Sequence, residues 1–247
     1  MRDLIQRAAQ ALRSARKTIA LTGAGISAES GIPTFRDPGG LWDRFDPEEY
    51  ATIEAFRRHP GKVWRMMKEF TELKTARPNP GHLGLAQLEQ MGFLRCLITQ
   101  NVDNLHQDAG SRDVIEFHGN MRQVVCQKCS KVLPLAEIPL ETLPPYCGCG
   151  GVFKPAGVFF GEPIPVHALY RSQEEARNCD LILVIGTSAV VYPAADIPRV
   201  AKQAGAQVIE INPERTDLTD WVSDFIIQEK AGVAIPQVVD AIKAMAS

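Results

Sequence analysis

Six short stretches of this chain are almost wholly apolar, and they constrain its fold more than any other feature. A strand with one solvated face alternates apolar and polar residues, whereas a strand covered on both faces is apolar throughout. The stretches are therefore predicted to be strands of a mostly parallel sheet, at positions 18–22, 94–99, 114–117, 181–185, 207–211 and 224–227. Apolar residues at helical spacing lie between or beside them, at positions 3–17, 80–91, 167–177, 194–204 and 232–246. This alternation predicts an α/β fold with a Rossmann-like, open sheet.

Two segments interrupt the alternation and are predicted to form a smaller lobe. Residues 37–78 have no clear strand pattern, but Asp46 before Pro47 is a good helix start, and a second helix is expected at about 60–75. Residues 120–155 contain four cysteines and five prolines. The predicted organisation is a Rossmann-like domain of residues 1–36, 79–119 and 156–247, a helical insertion of residues 37–78, and a zinc-binding module of residues 120–155.

The four clustered cysteines have the spacing of a metal site. Cys126 and Cys129 form a C-x-x-C pair, Cys147 and Cys149 form a C-x-C pair, and 17 residues separate the pairs (147 − 129 − 1). Two such pairs close a tetrahedron of thiolates around zinc and leave no open coordination position. The sequence therefore predicts one structural zinc ion that takes no part in chemistry. The alternatives are two free pairs or a redox dithiol.

The loop after the first predicted strand resembles a dinucleotide-binding loop only in part. Gly23, Gly25 and Ala28 fit the loose pattern G-x-G-x-x-G/A. The helix that should follow is interrupted, because Gly31-Ile32-Pro33 comes within a few residues. The loop is therefore predicted to leave the sheet instead of starting a helix.

Polar residues follow three other predicted strands. They are the segment 99–106 (TQNVDNLH), Gly186-Thr187-Ser188 and, more weakly, Asn212. Ligands of open α/β sheets bind where the carboxyl ends of the strands meet. Together with the first loop, these segments predict a dinucleotide site at that edge. Backbone N–H groups of Gly23, Gly25, Gly186 and Ser188 are expected to face phosphates.

Two histidines lie near the same predicted edge. His118 follows a strand and precedes the cysteine segment, and Gly119 leaves space beside it. An imidazole is a suitable general base at neutral pH, and we expect that role for His118. A hydrogen-bonded structural histidine is the alternative. For His106, whose neighbour Leu105 is apolar, we expect a buried structural role.

The overall composition excludes some classes of partner. The chain has 247 residues and a net charge of −2, without a block of like charges. Direct binding of nucleic acid or an anionic membrane is therefore not expected. No apolar run approaches the roughly 20 residues that cross a bilayer, and the N-terminus has an amphipathic helical pattern. These features predict a cytoplasmic protein; they do not predict an oligomeric state.

Several motifs resemble those of one family, the sirtuins, which are NAD-dependent protein-lysine deacylases. The motifs occur in the family's order over most of the chain, together with the four cysteines: GAGISAESGIPTFR (23–36), TQNVDNLH (99–106), FHGN (117–120), GVFFGE (157–162), GTSAVVYPAA (186–195) and INP (211–213). The resemblance implies that the first loop gives up its helix in order to cover the nicotinamide end of NAD.

The resemblance also implies roles for particular residues. His118 and Asn101 are the implied catalytic residues. The implied NAD-binding residues are Gly23, Ala24, Gly25, Ala28, Phe35, Arg36, Gln100, Asn101, Asp103, Gly186, Thr187, Ser188, Asn212, Lys230 and Ala231. The implied binding residues for an acylated-lysine peptide are Met67, Phe70, Val158, Phe159, Phe160, Gly161, Glu162 and Val190. The peptide would pair as a strand between the segments 158–162 and 189–192.

The implied reaction transfers an acyl group from lysine to ADP-ribose. Its products are nicotinamide, free lysine and O-acyl-ADP-ribose, and His118 would act as base on a ribose hydroxyl. Sirtuins that prefer succinyl-lysine carry a Tyr and an Arg where this chain has Met67 and Phe70. Because both residues here are apolar, a carboxylate clamp is absent and deacetylation is expected.

Three rival functions are considered beside this one. A mono-ADP-ribosyltransferase would keep the fold and change the acceptor. A non-catalytic NAD-binding module would be expected to lack His118 or Asn101, and both are present. A nicotinamide dehydrogenase is disfavoured by the interrupted helix after the glycine loop.

Overall fold

The computed structural model describes residues 1–35, 39–72 and 76–245, and the side chains of residues 69–72 are outside that description. Its larger sheet has six strands that are covered on both faces. The strands, in chain order, are β1 (Thr18–Thr22), β2 (Cys96–Thr99), β3 (Val114–Glu116), β7 (Leu181–Ile185), β8 (Gln207–Ile211) and β9 (Phe225–Ile227). Within the described residues the smaller sheet consists of β4 (Gln123–Cys126), β5 (Val132–Pro134) and β6 (Phe153–Pro155).

The larger sheet has the order β3-β2-β1-β7-β8-β9, and every neighbouring pair is parallel. This is the Rossmann order, in which the direction of winding changes beside the first strand. Leu21 of β1 is in register with Ile98 of β2 and Val184 of β7. The prediction of a Rossmann-like parallel sheet is confirmed, and its switch point lies between β1 and β7.

Ten α-helices connect the strands in the described ranges of the chain. They are α1 (Arg2–Ser14), α2 (Leu41–Arg44), α3 (Pro47–Tyr50), α4 (Ile53–Arg58), α5 (Pro60–Glu72), α6 (Pro80–Gln90), α7 (Leu105–Asp108), α8 (Val166–Asn178), α9 (Asp196–Gln203) and α10 (Ala231–Ala244). The predicted helices agree with these bounds to within a few residues. The helix expected at about 60–75 extends to Glu72, and residues 73–75 lie outside the described part.

Apolar side chains fill both faces of the larger sheet. Helices α1, α6 and α10 cover one face, where Leu12, Leu88 and Ile235 are buried. Helices α8 and α9 cover the other face, where Ala176 and Ile197 are buried. Burial on both faces explains why these strands are apolar at nearly every position.

A separate apolar cluster joins the smaller sheet to α4 and α5. Phe56 and Trp64 of these helices pack with Val124 and Phe153 of the sheet. Trp64 also donates its Nε1–H to the Phe153 carbonyl oxygen at 2.7 Å, so its polar group is satisfied while it is buried. The predicted domain boundaries near residues 37, 79, 120 and 156 remain a prediction.

Side-chain caps fix the start of several helices, among them α3 and α6. Asp46 accepts a hydrogen bond from the Glu48 amide at the start of α3, as its position before Pro47 predicts. Asn79 accepts from the Gly81 amide at the start of α6. No helix among the described residues is both long enough and apolar enough to cross a membrane.

Candidate functional site

The candidate site lies at the carboxyl edge of the larger sheet, where the loops after β1 and β7 touch through their backbones. A Cβ atom on Gly25 would lie 2.9 Å from the Cα of Gly186. Gly186 has φ +58°, and a Cβ atom there would lie 2.4 Å from the Ile26 nitrogen. Only glycine permits this approach at either position. After Gly23 the chain forms two short 3₁₀ turns, Ala24–Ile26 and Ala28–Ser30, so the predicted absence of a long helix is confirmed.

The expectation that the glycine amides face phosphates is wrong for three of the four amides named. The N–H groups of Gly23 and Gly25 donate to the carbonyl oxygens of Ile185 and Gly186, at 3.1 and 2.8 Å. Gly186 donates to Ile211 at 3.1 Å. These bonds fasten the loops to each other, because adjacent strand ends leave backbone groups to be satisfied.

Among the amides at this edge, those of Ala24 and Ser188 are left for a ligand. Within the described residues, the N–H groups of Ala24 and Ser188 have no protein acceptor. Ala24 is half-buried and Ser188 is exposed. An N–H donor on each side of the switch point suits a diphosphate, so the loops fit a dinucleotide. Of these two donors, only Ser188 is among those predicted.

The segment after β2 places its polar side chains against the loops that follow β1 and β7. Gln100 Nε2 donates to the Thr187 hydroxyl at 3.0 Å, and Asn101 Nδ2 donates to the Gly23 carbonyl oxygen at 3.0 Å. Both carboxylate oxygens of Asp103 accept hydrogen bonds, one from the Ser27 hydroxyl at 2.7 Å and one from the Leu105 amide at 2.9 Å. The structure therefore brings Asn101 and Asp103 against the loop after β1, and Gln100 against the loop after β7.

A buried chain of hydrogen bonds supports these side chains from below. The backbone N–H of Asn79 donates to His82 Nδ1 at 3.3 Å. The proton of the His82 ring is therefore on Nε2, which donates to the Ser27 hydroxyl at 3.4 Å. Ser27 also accepts from Asn101 Nδ2 at 3.1 Å. Since Ser27 donates to Asp103, one hydroxyl connects α6, the first loop and the segment after β2.

His106 takes the buried structural role that the sequence predicts. Its Nε2 lies 2.9 Å from the Thr22 hydroxyl, which donates to Thr99 at 3.0 Å. The His106 and His82 rings lie 4.8 Å apart. Burial, together with the neighbouring His82, lowers the pKa of His106 to about 3. Burial also lowers the pKa of His82 to about 4, which Asp103 opposes. Both rings are therefore neutral at pH 7.

His118 lies just beyond β3, half-buried at the same edge. Its Nδ1 is 3.1 Å from the Gln100 carbonyl oxygen. A carbonyl can only accept, so Nδ1 carries the proton and Nε2 keeps its lone pair. Burial lowers the pKa of His118 below its ordinary value of 6.5, although the bond to Gln100 acts in the opposite direction. At pH 7 the ring is thus a neutral base with a defined tautomer.

The other predicted cofactor residues surround this edge in different settings. Asn212 follows β8 and donates to the Glu214 carbonyl oxygen at 2.8 Å. Lys230 and Ala231 begin α10, and Ala28 is exposed on the first loop. Phe35 is 39% exposed and its ring lies 5.2 Å from that of Trp42. The prediction for Arg36 lies outside the described residues.

The predicted peptide segment 158–162 is firmly attached to the protein. Val158 donates its N–H to the His118 carbonyl oxygen at 2.8 Å. Phe159 is buried against Phe56, at 5.7 Å between ring centroids, whereas Phe160 is 44% exposed. The Trp42 ring lies 6.5 Å from that of Phe160, so it lies between this segment and Phe35.

The remaining predicted substrate residues are Val190, Met67 and Phe70. Val190 is 41% exposed, next to Ala189 with φ +54°, an uncommon conformation for a residue other than glycine. Met67 is half-buried against the cluster that contains Trp64. The Phe70 side chain lies outside the described residues, so its predicted contact with an acyl group stays a prediction.

The four cysteines come together as their spacing predicts. The sulfur atoms of Cys126, Cys129, Cys147 and Cys149 all lie within 4.8 Å of one another. The Cys126–Cys149 and Cys129–Cys147 pairs are 3.5 and 3.8 Å apart. A tetrahedral zinc with bonds of about 2.3 Å separates its sulfur ligands by about 3.8 Å, so this cluster fits zinc. Cys126 ends β4, Cys129 lies in the turn that follows it, and Cys147 and Cys149 lie in the loop before β6.

Sequence reasoning missed the residues that support the site. Ser27 and His82 are 55 positions apart, and nothing in their local patterns indicates that they meet. The sequence patterns indicate no role for Trp42 or for Lys154, which is buried beside the segment 158–162. A signal for Lys154 was present: a lysine between Phe153 and Pro155 stands in a strand that is otherwise apolar.

A Rossmann-type sheet with glycine loops at its switch point, joined to a four-cysteine lobe by a segment with a histidine, defines a class of nucleotide-binding α/β proteins. Residues 23–193 match the model of the Sir2 family. The chain is 53% identical over 237 residues to NAD-dependent protein deacylase 2 of Pyrobaculum aerophilum, covering 95% of this chain and 94% of that protein. It is 46% identical to the NAD-dependent protein deacylase of Pyrococcus abyssi, with 97% and 98% covered. The chain belongs to the Sir2 family.

Solved structures of similar proteins agree with this assignment. A Sir2 homologue in complex with NAD has a TM-score of 0.90 and 43% identity, with 99% of this chain and 94% of that chain covered. A Sir2 histidine-to-alanine variant with a deacetylated p53 peptide and 3′-O-acetyl-ADP-ribose has a TM-score of 0.90 and 34% identity, with 96% and 97% covered. Sir2Af2 bound to a myristoylated histone peptide has a TM-score of 0.83 and 38% identity, with 100% and 99% covered.

Proposed function

We propose that this chain is an NAD-dependent protein-lysine deacylase that acts on acetyl-lysine. The observation that carries the proposal is the arrangement of His118. Its Nε2 is unprotonated because Nδ1 donates to Gln100, and its backbone carbonyl accepts the N–H of Val158 in the predicted peptide segment. One residue therefore joins the carboxyl edge of the sheet to the substrate segment.

The chain's residues divide the work of the reaction between them. Ala24 and Ser188 offer their free N–H groups to the diphosphate, and Asn101 and Asp103 line the nicotinamide and ribose region. His118 takes a proton from a ribose hydroxyl at Nε2, which prepares that oxygen to accept the acyl group. Bound NAD supplies the electrophilic ribose carbon and the nicotinamide leaving group.

The relatives and structural neighbours support this activity. The relatives are named as NAD-dependent protein deacylases. The structural neighbours include complexes with NAD, with an acetylated ADP-ribose and with peptides. The cysteine cluster would hold one zinc ion that stabilises the lobe next to the peptide segment. With four sulfur ligands, it has no position left for a substrate.

Acetyl-lysine is the proposed substrate, with longer apolar acyl groups accepted. A neutral acyl-lysine suits an apolar pocket, whereas a free charged lysine would lose its hydration there. Met67 is half-buried and apolar, so it offers no partner for the carboxylate of a succinyl group. Sir2Af2 was solved with a myristoylated peptide, which is consistent with tolerance of long chains in this family.

The test is mass spectrometry of a zinc-loaded preparation incubated with an acetyl-lysine peptide, with and without NAD. We expect NAD-dependent loss of the acetyl group, with equimolar nicotinamide and O-acetyl-ADP-ribose. Release of nicotinamide with the acetyl group retained would contradict the proposal and indicate ADP-ribosyl transfer or NAD hydrolysis. A parallel succinyl-lysine peptide should give a lower kcat/KM; a higher value would contradict the acetyl preference.

A further inference from the structure

Lys154 is a buried lysine beside the predicted peptide segment, and its ammonium group is fully satisfied. Its side chain is 7% exposed. Nζ donates to the carbonyl oxygens of Pro155 and Gly157 at 2.9 and 2.7 Å, and lies 2.9 Å from Glu162 Oε2. An ammonium has three donors, so all of them are used. Burial lowers the pKa of Lys154, and Glu162 opposes that effect.

Glu162 connects Lys154 to the backbone of the segment. Its Oε2 accepts the N–H of Phe159 at 2.8 Å, and its own N–H donates to the Phe159 carbonyl oxygen at 2.9 Å. This bond closes a reverse turn from Phe159 to Glu162. Its third residue, Gly161, has φ +83°, a left-handed conformation that favours glycine. Lys154 Nζ also lies 4.4 Å from the centroid of the Phe159 ring. The turn from Phe159 to Glu162 is thus held from its buried side.

Other contacts leave two backbone groups of the segment free. Phe160 exchanges two hydrogen bonds of 2.9 Å with Ala51 and Ile53, and Val158 donates to His118. Within the described residues, the Val158 carbonyl and the Gly161 N–H have no protein partner. One free acceptor and one free donor on a fixed segment are what an extended peptide needs in order to add as a strand.

We propose that Lys154 is a positioning residue for the acyl-lysine peptide. Through Glu162 and the Gly157 carbonyl, it holds the segment so that the Val158 carbonyl and the Gly161 N–H meet the peptide backbone. The pair does not contact the reacting atoms. Glu162 then has an internal role, because its Oε2 pairs with Lys154 and accepts the N–H of Phe159. The identity of the ligand as an acylated peptide rests on the proposed function.

The experiment compares Lys154→Met, Glu162→Gln and the double variant with wild-type protein. Glu54→Gln is the matched control, because it removes an exposed ion pair of the same lobe. The partners of that pair, Glu54 and Arg57, have side chains that are 59% and 64% exposed. At saturating NAD we expect the KM for an acetyl-lysine peptide to rise about tenfold in Lys154→Met, with kcat changed less than about threefold, since misplaced contacts weaken substrate binding. The KM for NAD should stay at the wild-type value.

The two single variants should act as one unit. The double variant is expected to have the same peptide KM as Lys154→Met, because Lys154→Met already removes the ion pair that Glu162→Gln would weaken. A fall in kcat with an unchanged peptide KM would indicate lost folded protein only and would overturn the inference. If Lys154→Met does not fold, Glu162→Gln, which keeps the side-chain volume, is held to the same criterion.

Hydrogen exchange separates this inference from the proposed function. The amides of Phe159 and Glu162 should exchange faster in Lys154→Met than in Glu54→Gln, whether or not the wild-type protein deacylates a peptide. If the wild-type protein has no deacylase activity, the proposed function fails, and unchanged exchange at these amides would overturn the positioning role as well.

Discussion

The two sheets of this protein are stabilised by different means. The six-stranded sheet is covered on both faces by apolar side chains of five helices, and its central strands are completely buried. The three-stranded sheet has one apolar cluster, and its edge strand β5 is largely exposed. A small core buries too little surface to be stable alone. The smaller lobe therefore depends on sulfur ligands and a buried ion pair, whereas the larger sheet carries a buried polar network at its edge.

Removal of zinc should have the largest effect, and it should be confined to one sheet. A structural zinc contributes on the order of 10 kcal/mol to the folding of a small domain. In Cys126→Ser, hydrogen exchange should reach the unfolded rate at β4–β6 while β1 and β7 stay protected. Cys179→Ser is the matched control, since Cys179 is a buried cysteine of the larger sheet unit. Equal loss of protection in both sheets would refute the difference between them.

Replacement of His118 tests the residue that joins the two regions. His118→Ala should lower kcat for deacetylation by about 10²- to 10⁴-fold, the usual contribution of a general base. The affinity for ADP-ribose, measured by calorimetry, should stay close to the wild-type value, because the diphosphate donors lie on other loops. His167→Ala, at an exposed histidine, should have neither effect. Turnover retained in His118→Ala would exclude it as the base.

The pH dependence of kcat reports on the same histidine. Because burial lowers the pKa of His118 below 6.5, the ring stays neutral at pH 7 and becomes protonated only as the pH falls through its lowered pKa. The rate should therefore be flat near neutral pH and decline on the acid side, below pH 6.5. A rate that still rises between pH 7 and 8 would contradict this assignment.

Acid should destabilise the larger sheet through its two buried histidines. Between pH 6.5 and about 4, the unfolded chain binds protons at His82 and His106 that the folded chain does not bind. The free energy of unfolding therefore falls as the pH falls, by about 1.4 kcal/mol for each histidine at one unit below pH 6.5. Urea denaturation at pH 7.5 and 5.5 should show a smaller decrease in His106→Asn than in wild type. The exposed His59→Asn should behave like wild type.

A matched pair of cap substitutions gives the smallest effect. Asn79→Ala and Asp46→Ala each remove an N-cap, a loss that by itself costs about 1 kcal/mol of stability. Asn79 also donates to the Ile26 carbonyl oxygen at 2.7 Å and to the Ser30 hydroxyl at 3.0 Å. Only Asn79→Ala should therefore also weaken binding of ADP-ribose. The same loss of affinity in Asp46→Ala would show that it does not come from the first loop.

The sequence predicted features that follow from local patterns. The apolar strands, the interrupted helix after Gly25 and the four-cysteine cluster each depend on residues that are close in the chain or regularly spaced. The tautomer of His118 depends on a carbonyl 18 positions away, and the network around Ser27 joins three separate segments. The free amides at the edge depend on which N–H groups the neighbouring strands already use. Such contacts are set by tertiary packing, so a single sequence does not reveal them.

The contact between Gly25 and Gly186 has a consequence for how sequences of this kind can vary. Neither glycine can be replaced by a larger residue, because a Cβ atom at either position would overlap the backbone of the other loop. A substitution at one position is therefore not rescued by a smaller side chain at the other, because no side chain is present to shrink. In evolutionary terms we expect the two positions to be constrained together without covariation: both should remain glycine, and their coupling should leave no covariation signal in a comparison of related sequences.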